Sequence, residues 1–385
     1  MSLWDELTGQ NDAIGVLQAA AAAARADSAA AGMSHSWLIT GPPGSGRSNL
    51  AYAFAAALLS AGNPHRTEQV ERQVVARSHP DLGVLSTDRV IITVDEVRAL
   101  VAASQFSPSV ASYRVMVIED ADRMTERTSN LLLKALEEPP PRTVWILCAP
   151  SEADLLPTVR SRVRSVRLRV PSVQDVAALL TARNAVSREL AEQSAREAQS
   201  HVGMAQRLAT SEEARARRAE TLTLALSNRS VPSAIRSAAR FLELAGEDAR
   251  TLSEQRDAEE RESALRSLGV EPGGSVPPAL RSQLRALEED QKRRTTRSLR
   301  DGIDRILVDL LSLYRDVLMI QLAASVESIN GGVAGEVAVL AGETEPVSTL
   351  HTMEAIATAR SRIEGNVAPL LALEAMLVVA ARRGA

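Results

Sequence analysis

The run Trp37-Leu38-Ile39-Thr40-Gly41-Pro42-Pro43-Gly44-Ser45-Gly46-Arg47-Ser48 decides the fold class. Four residues of β-like character enter a glycine-rich turn, and the turn opens onto a helical stretch, Ser48 to Ala61. Gly41 to Ser48 fits G-x-x-x-x-G-K-[ST] at every position but one, between a strand and a helix, which is the context that pattern requires. Glycines let the backbone curl so that several N–H groups point into one concavity. The following helix adds the partial positive charge of its N-terminus. Ser48 would place a hydroxyl on a bound magnesium ion. Arg47 stands where the pattern has lysine, and a planar, forked guanidinium is not equivalent to a compact ammonium. A glycine-rich turn without a ligand reads the same way. Gly41, Gly44, Gly46, Arg47 and Ser48 are therefore candidates for a degenerate nucleotide site.

Outward from this run, strands and helices alternate. Val115-Met116-Val117-Ile118 and Val144-Trp145-Ile146-Leu147 are continuous apolar runs, Arg89 to Val94 is a further candidate, and Val166 to Val170 is a weaker one. Such runs suit strands buried on both faces of a parallel sheet. Val94 to Ser104 and Ser129 to Glu138 read as helices, the second stopped by Pro139-Pro140-Pro141. The alternation predicts an α/β domain over 1–169, a parallel sheet with flanking helices. Beyond Pro171 the strand signal ends. Short helices at 173–181, 187–200, 204–210 and 215–227 predict a small helical domain over 170–229. An all-α region follows over 230–385, with long helices from Ala279 to about Ser325, with some break, and from Val347 to about Arg383. Gly269 to Pro278 reads as a loop. The charged stretch Glu247 to Glu262 suits a solvated helix and a disordered insertion equally.

Composition narrows the class. The 385 residues carry a net charge of −4, which argues against autonomous electrostatic binding of nucleic acid. Aromatics are 2%, too few for a base-stacking surface. The single cysteine, Cys148, leaves no disulfide framework and no multi-cysteine zinc site. No apolar run approaches a membrane span, and the first residues lack the basic and apolar segments of a signal peptide, so a cytoplasmic protein without membrane contact is expected. Lys134 and Lys292 are the only lysines, a bias toward arginine that suits a GC-rich genome.

Two further segments carry chemistry. Val115 to Ile118 ends in Glu119-Asp120-Ala121-Asp122, the place where phosphate-loop enzymes put a magnesium ligand and a group that orients water. Helix capping by Asp120 and Asp122 is an equal reading. Leu155-Leu156-Pro157-Thr158-Val159-Arg160-Ser161-Arg162-Val163 places an arginine at a domain edge, where it could stabilise charge on a neighbour's phosphoryl group. By composition alone it is an ordinary surface arginine.

These pieces together resemble the clamp-loader subunits of the AAA+ family. Trp4 to Gln10 is similar to the family's adenine-side segment and Gly41 to Ser48 to its phosphate loop. Asn130-Leu131-Leu132-Leu133-Lys134-Ala135-Leu136-Glu137-Glu138-Pro139-Pro140 is similar to its ATPase subunits, and Leu155 to Val163 to its Ser-Arg-Cys segment with Val163 in place of cysteine. The resemblance implies a subunit of the DNA polymerase III clamp loader that helps load a sliding clamp onto primed DNA. Its partners would be the gamma/tau and delta subunits, with the clamp and DNA met through the assembly. Arg162 would act in trans as an arginine finger on a neighbouring gamma/tau ATP site. The C-terminal helices would form the oligomerisation collar.

Departures from the family shape the expectation further. Ser60 to Leu82 lacks the four zinc-binding cysteines, so no zinc or other metal is expected. Cys148 stands at a sensor position that holds a hydroxyl residue in gamma/tau, and Gly203 stands where a sensor arginine belongs. With Arg47, these favour a subunit whose own site, including Glu119, Asp120 and Asp122, has lost hydrolysis. ATP or ADP with magnesium at the degenerate loop is the only cofactor the resemblance leaves open. The alternative is an active AAA+ ATPase of the gamma/tau type.

Overall fold

The computed structural model describes residues 2–25, 34–61, 64–87, 91–267 and 281–381. Arg89 and Val90 of the expected strand and the expected loop from Gly269 to Pro278 lie outside them. They form two compact units, Met1–Thr210 and Ser211–Ala385.

In the first unit the elements run α1 (Asn11–Arg25), β1 (Ser36–Thr40), α2 (Arg47–Leu59), α3 (Thr67–Val75), β2 (Leu82–Leu85), α4 (Val94–Ser104), β3 (Arg114–Ile118) and α5 (Glu126–Glu137). They continue through β4 (Thr143–Ala149), α6 (Pro157–Arg160), β5 (Arg164–Arg167), α7 (Val173–Asn184), α8 (Arg188–Glu197) and α9 (Val202–Thr210). The five strands form one parallel sheet in the order β2-β3-β4-β1-β5. Alternate residues of the apolar strands supply two cores. Trp37, Ile39, Val115, Val117, Ile146 and Cys148 pack against Leu17, Leu50, Phe54 and Val74 of α1, α2 and α3. Leu38, Met116, Ile118, Trp145 and Leu147 pack against Val97, Leu100, Leu132 and Leu136 of α4 and α5. Period-two side-chain alternation thus feeds both faces of the sheet, which is why these strands read as unbroken apolar runs. The Trp37 and Phe54 rings meet edge to face at 5.4 Å.

The expected strand from Arg89 to Val94 is corrected over its described residues, Ile91 to Val94. Of its described part, Ile92 makes a single parallel bridge to Met124, and Val94 already begins α4. Thr93 starts a capping box there, accepting from Glu96 N while its own N–H donates to Glu96 Oε2 at 2.7 Å. The neighbouring strand is instead Leu82-Gly83-Val84-Leu85, paired with Val115 to Ile118. Gly83 hides this strand in the sequence, and a Cβ there would lie 2.5 Å from Met116 Sδ. The bare backbone is what lets β2 lie beside β3.

The helices at 170–229 divide between the units. α7, α8 and α9 belong with the sheet, while α10 (Glu212–Leu226) begins the second unit. There it joins α11 (Val231–Ser267), α12 (Arg281–Gln321), α13 (Ala334–Glu343), α14 (Pro346–Glu364) and α15 (Pro369–Ala381). The backbone of the charged stretch after Glu247 is helical, as part of α11. Phe241, Leu244, Ile303, Leu307, Leu310, Ile356, Leu373 and Leu377 share the core of this unit. Gly302 faces α11 so closely that a Cβ would lie 2.9 Å from the Ala245 carbonyl oxygen. The single helix expected from Val347 is two. Asn366 turns left-handed at φ 65, and Pro369, which has no N–H to give, starts the next helix. α13 lies in the stretch between the two long expected helices, where no helix was expected.

Candidate functional site

The glycine-rich loop from Gly41 to Gly46, the candidate phosphate loop, lies beyond the C-terminal end of β1. Gly44 and Gly46 both adopt left-handed φ, 78 and 91, which a side chain resists. A Cβ on Gly41 would lie 2.7 Å from Ser45 Oγ and 2.8 Å from Leu168 Cβ, so that position is closed to any other residue. Ser45 Oγ is buried and has no hydrogen-bond partner. Gly46 caps α2 without a side-chain bond, which leaves the first-turn N–H groups to a ligand. The loop therefore fits a phosphate cradle. Arg47 folds back along it, and its Nη1 donates to Gly41 O at 2.9 Å. Ser48 follows as the second residue of α2.

Around the loop the expected companions divide. Leu7, in the segment from Trp4 to Gln10, reaches within 3.2 Å of the place a Cβ on Gly46 would take. Gln10 ties that segment down, donating from Nε2 to Arg169 O at 2.8 Å and accepting from Arg169 N at 3.0 Å. Glu119 is engaged elsewhere. Its carboxylate accepts from Tyr52 Oη, from Arg77 Nη2 at 2.7 Å and from Ser86 Oγ at 3.1 Å. Burial, and then the bond to Glu119, push the Tyr52 phenol far above its ordinary range. Asp120 precedes a short turn, Ala121–Arg123, without making a side-chain capping bond, and pairs with Arg123 at 3.8 Å. Burial raises the Asp122 carboxyl, the Asp120 charge raises it further, and Arg123 and Arg47 draw it partly back. Cys148 is fully buried beneath the loop, where burial pushes its thiol up.

The short-helix group contributes one residue the sequence did not single out. Gln199 and Ser200, both left-handed, turn the chain so that His201 stands against Gly44. Gly203 lies farther back: a Cβ there would meet nothing nearer than His201 Cε1, at 3.6 Å.

Arg162 occupies the other end of the sheet. β5 begins at Arg164, which pairs with Trp37, and the strands run parallel to Thr40 opposite Arg167. From Trp37 to Gly41 is four residues, about 13 Å of strand, and Arg162 precedes even that level. Its guanidinium donates from Nε to Glu137 Oε1 at 2.5 Å and from Nη1 to Thr158 O at 2.7 Å. The side chain is 31% exposed. Besides His201, Glu137 and the three partners of Glu119 are residues that sequence reasoning missed. Tyr52 sits one helical turn after Ser48, and Glu137 lies inside the quoted Asn130 to Pro140 block, but nothing in the order of residues pairs Glu137 with Arg162.

Among the described residues, no group of His, Cys, Asp and Glu gathers to hold a metal ion, and no helix is long and apolar enough to cross a membrane.

Comparison with known proteins matches residues 16–172 to the family described as DNA polymerase III, delta subunit. The DNA polymerase III subunit delta' of Pseudomonas aeruginosa is 35% identical over 134 residues, 33% of this chain and 41% of that protein. That of Haemophilus influenzae is 36% identical over 115 residues, covering 30% and 35%. A DNA polymerase III subunit gamma/tau of Mycobacterium tuberculosis is 28% identical over 180 residues, covering 46% and 30%. The matched region thus spans less than half the length of each of these relatives. Over this region the chain is therefore similar to DNA polymerase III delta' subunits and, at lower identity, to gamma/tau subunits.

Proposed function

We infer that this chain is a delta-prime-type subunit of a DNA polymerase III clamp loader. It works in the cytoplasm as a scaffold beside gamma/tau and delta subunits, and it meets the sliding clamp and primed DNA through the assembly. The observation that carries this reading is the separation of Arg162 from its own phosphate loop by the length of the sheet. An arginine at that edge has no route to the phosphates of its own chain. In a ring it would face the nucleotide of the next subunit and stabilise charge on the transferred phosphoryl group.

Its own site supports the same division of labour. Gly41 to Gly46, Arg47 and Ser48 would hold the phosphates of ATP or ADP, and a bound nucleotide would supply the only phosphoryl chemistry there. Glu119, bound to Tyr52, Arg77 and Ser86, is not available to orient water. No zinc has a role in this reading. Adding the chain to gamma/tau and delta should raise ATP turnover in the presence of clamp and primed DNA, and the Arg162→Ala chain should assemble without raising it. Full stimulation by Arg162→Ala would overturn the finger assignment.

A further inference from the structure

We propose that Glu137 is the positioning residue of Arg162, fixing the guanidinium in the attitude from which it meets the neighbouring phosphate. The proposal rests on the finger reading of Arg162 and names the group that would make the finger rigid.

A guanidinium has five N–H donors in a fixed plane. The Nε edge of Arg162 is turned onto Glu137, with Nε donating to Oε1 at 2.5 Å and Nη2 paired with the same oxygen. Nη1 donates to Thr158 O at 2.7 Å and to Ser161 Oγ at 3.1 Å, and Ser161 Oγ in turn donates to Thr158 O at 3.1 Å. Every nitrogen of the head group is therefore held from within the chain, and the outward N–H of Nη2 is the donor left to point away. A long side chain that would otherwise sample many rotamers is reduced to one.

Helix stability does not explain Glu137. It is the last residue of α5, followed by Glu138 and three prolines. A carboxylate at that end meets the negative pole of the helix, where a cation would be favoured. Pairing with Arg162 offsets this, and it also links the Asn130 to Pro140 block to the Ser161-Arg162 turn, 25 positions later.

The test is ATP turnover by the reconstituted loader carrying Glu137→Ala, Arg162→Ala or both in this chain. Loss of positioning should lower kcat about ten-fold, with KM for ATP near wild type. The double variant should fall no lower than Arg162→Ala. If the alanine chain fails to assemble, the isosteric Glu137→Gln is read in the same way. Wild-type turnover by the Glu137 variant beside a depressed Arg162→Ala would overturn the proposal. So would a double variant lower than either single one, because Glu137 would then act on the assembly and not through Arg162. An unchanged Arg162→Ala would instead overturn the finger reading itself.

Discussion

His201 stands against Gly44 so closely that a methyl group on the glycine would lie 2.3 Å from the imidazole Cγ. The contact joins the phosphate loop to the turn before α9, and Gly44 serves it twice, by its missing side chain and by its φ of 78. Gly44→Ala should cost about 1–2 kcal/mol for the left-handed backbone alone, and more for the clash. Combining it with His201→Ala should recover the clash and leave the strain. Trp4, Trp37 and Trp145 all lie in the first unit, so their fluorescence during urea unfolding reports on this unit. Strictly additive losses would mean that the ring does not bear on the loop.

Asp81 is a second point of leverage. Its buried carboxylate accepts from Ser109 N at 2.6 Å, Val110 N at 2.7 Å, Ala111 N at 2.8 Å and Arg114 Nη2 at 3.1 Å. Burial alone would raise its pKa, but the backbone bonds from Ala111, Ser109 and Val110 outweigh it and hold the carboxyl below the usual range. A depressed carboxyl stabilises the fold above the unfolded pKa, about 3.9, and that contribution fades as pH falls toward the folded value. His79, whose pKa burial lowers, acts earlier, because protonation favours the unfolded chain below about 6.5. Stability should therefore fall on acidification in two stages. Asp81→Asn should cost about 3 kcal/mol at neutral pH and abolish the stage below pH 4. An unchanged acid profile would count against this role.

Tyr52 tests the reading of Glu119. Tyr52→Phe removes a donor to a charged acceptor and should cost about 1.5–3 kcal/mol. It should not awaken ATP turnover in the isolated chain, because Arg77 and Ser86 still hold the carboxylate. Turnover gained in Tyr52→Phe would show that one hydrogen bond was all that kept the site silent.

Much of this architecture could be read in the residues, for physical reasons that differ by element. β1, β3 and β4 are buried on both faces, so hydrophobicity alone marks them. α5 announces its end through Pro139 to Pro141. β2 escaped because Gly83 replaces the apolar side chain that would have signalled it, while Ile91 to Val94, the described part of the other apolar run, imitated a strand up to the capping box at Thr93. The glycine turn between β1 and α2 was legible from spacing. The partners of Glu119 were not, since Arg77 and Ser86 reach it only through the pairing of β2 with β3. The direction of Arg162 likewise follows from strand register, a property that no local motif carries.

The most direct measurement compares Ser48→Ala and Arg162→Ala, each placed in this chain alone, for ATP turnover by the reconstituted loader with clamp and primed DNA. A subunit that activates its neighbour from a silent site predicts near-normal turnover for Ser48→Ala and a marked loss for Arg162→Ala. The reverse pattern, with Ser48→Ala depressed and Arg162→Ala at wild-type rate, would contradict it and make the chain an ATPase in its own right.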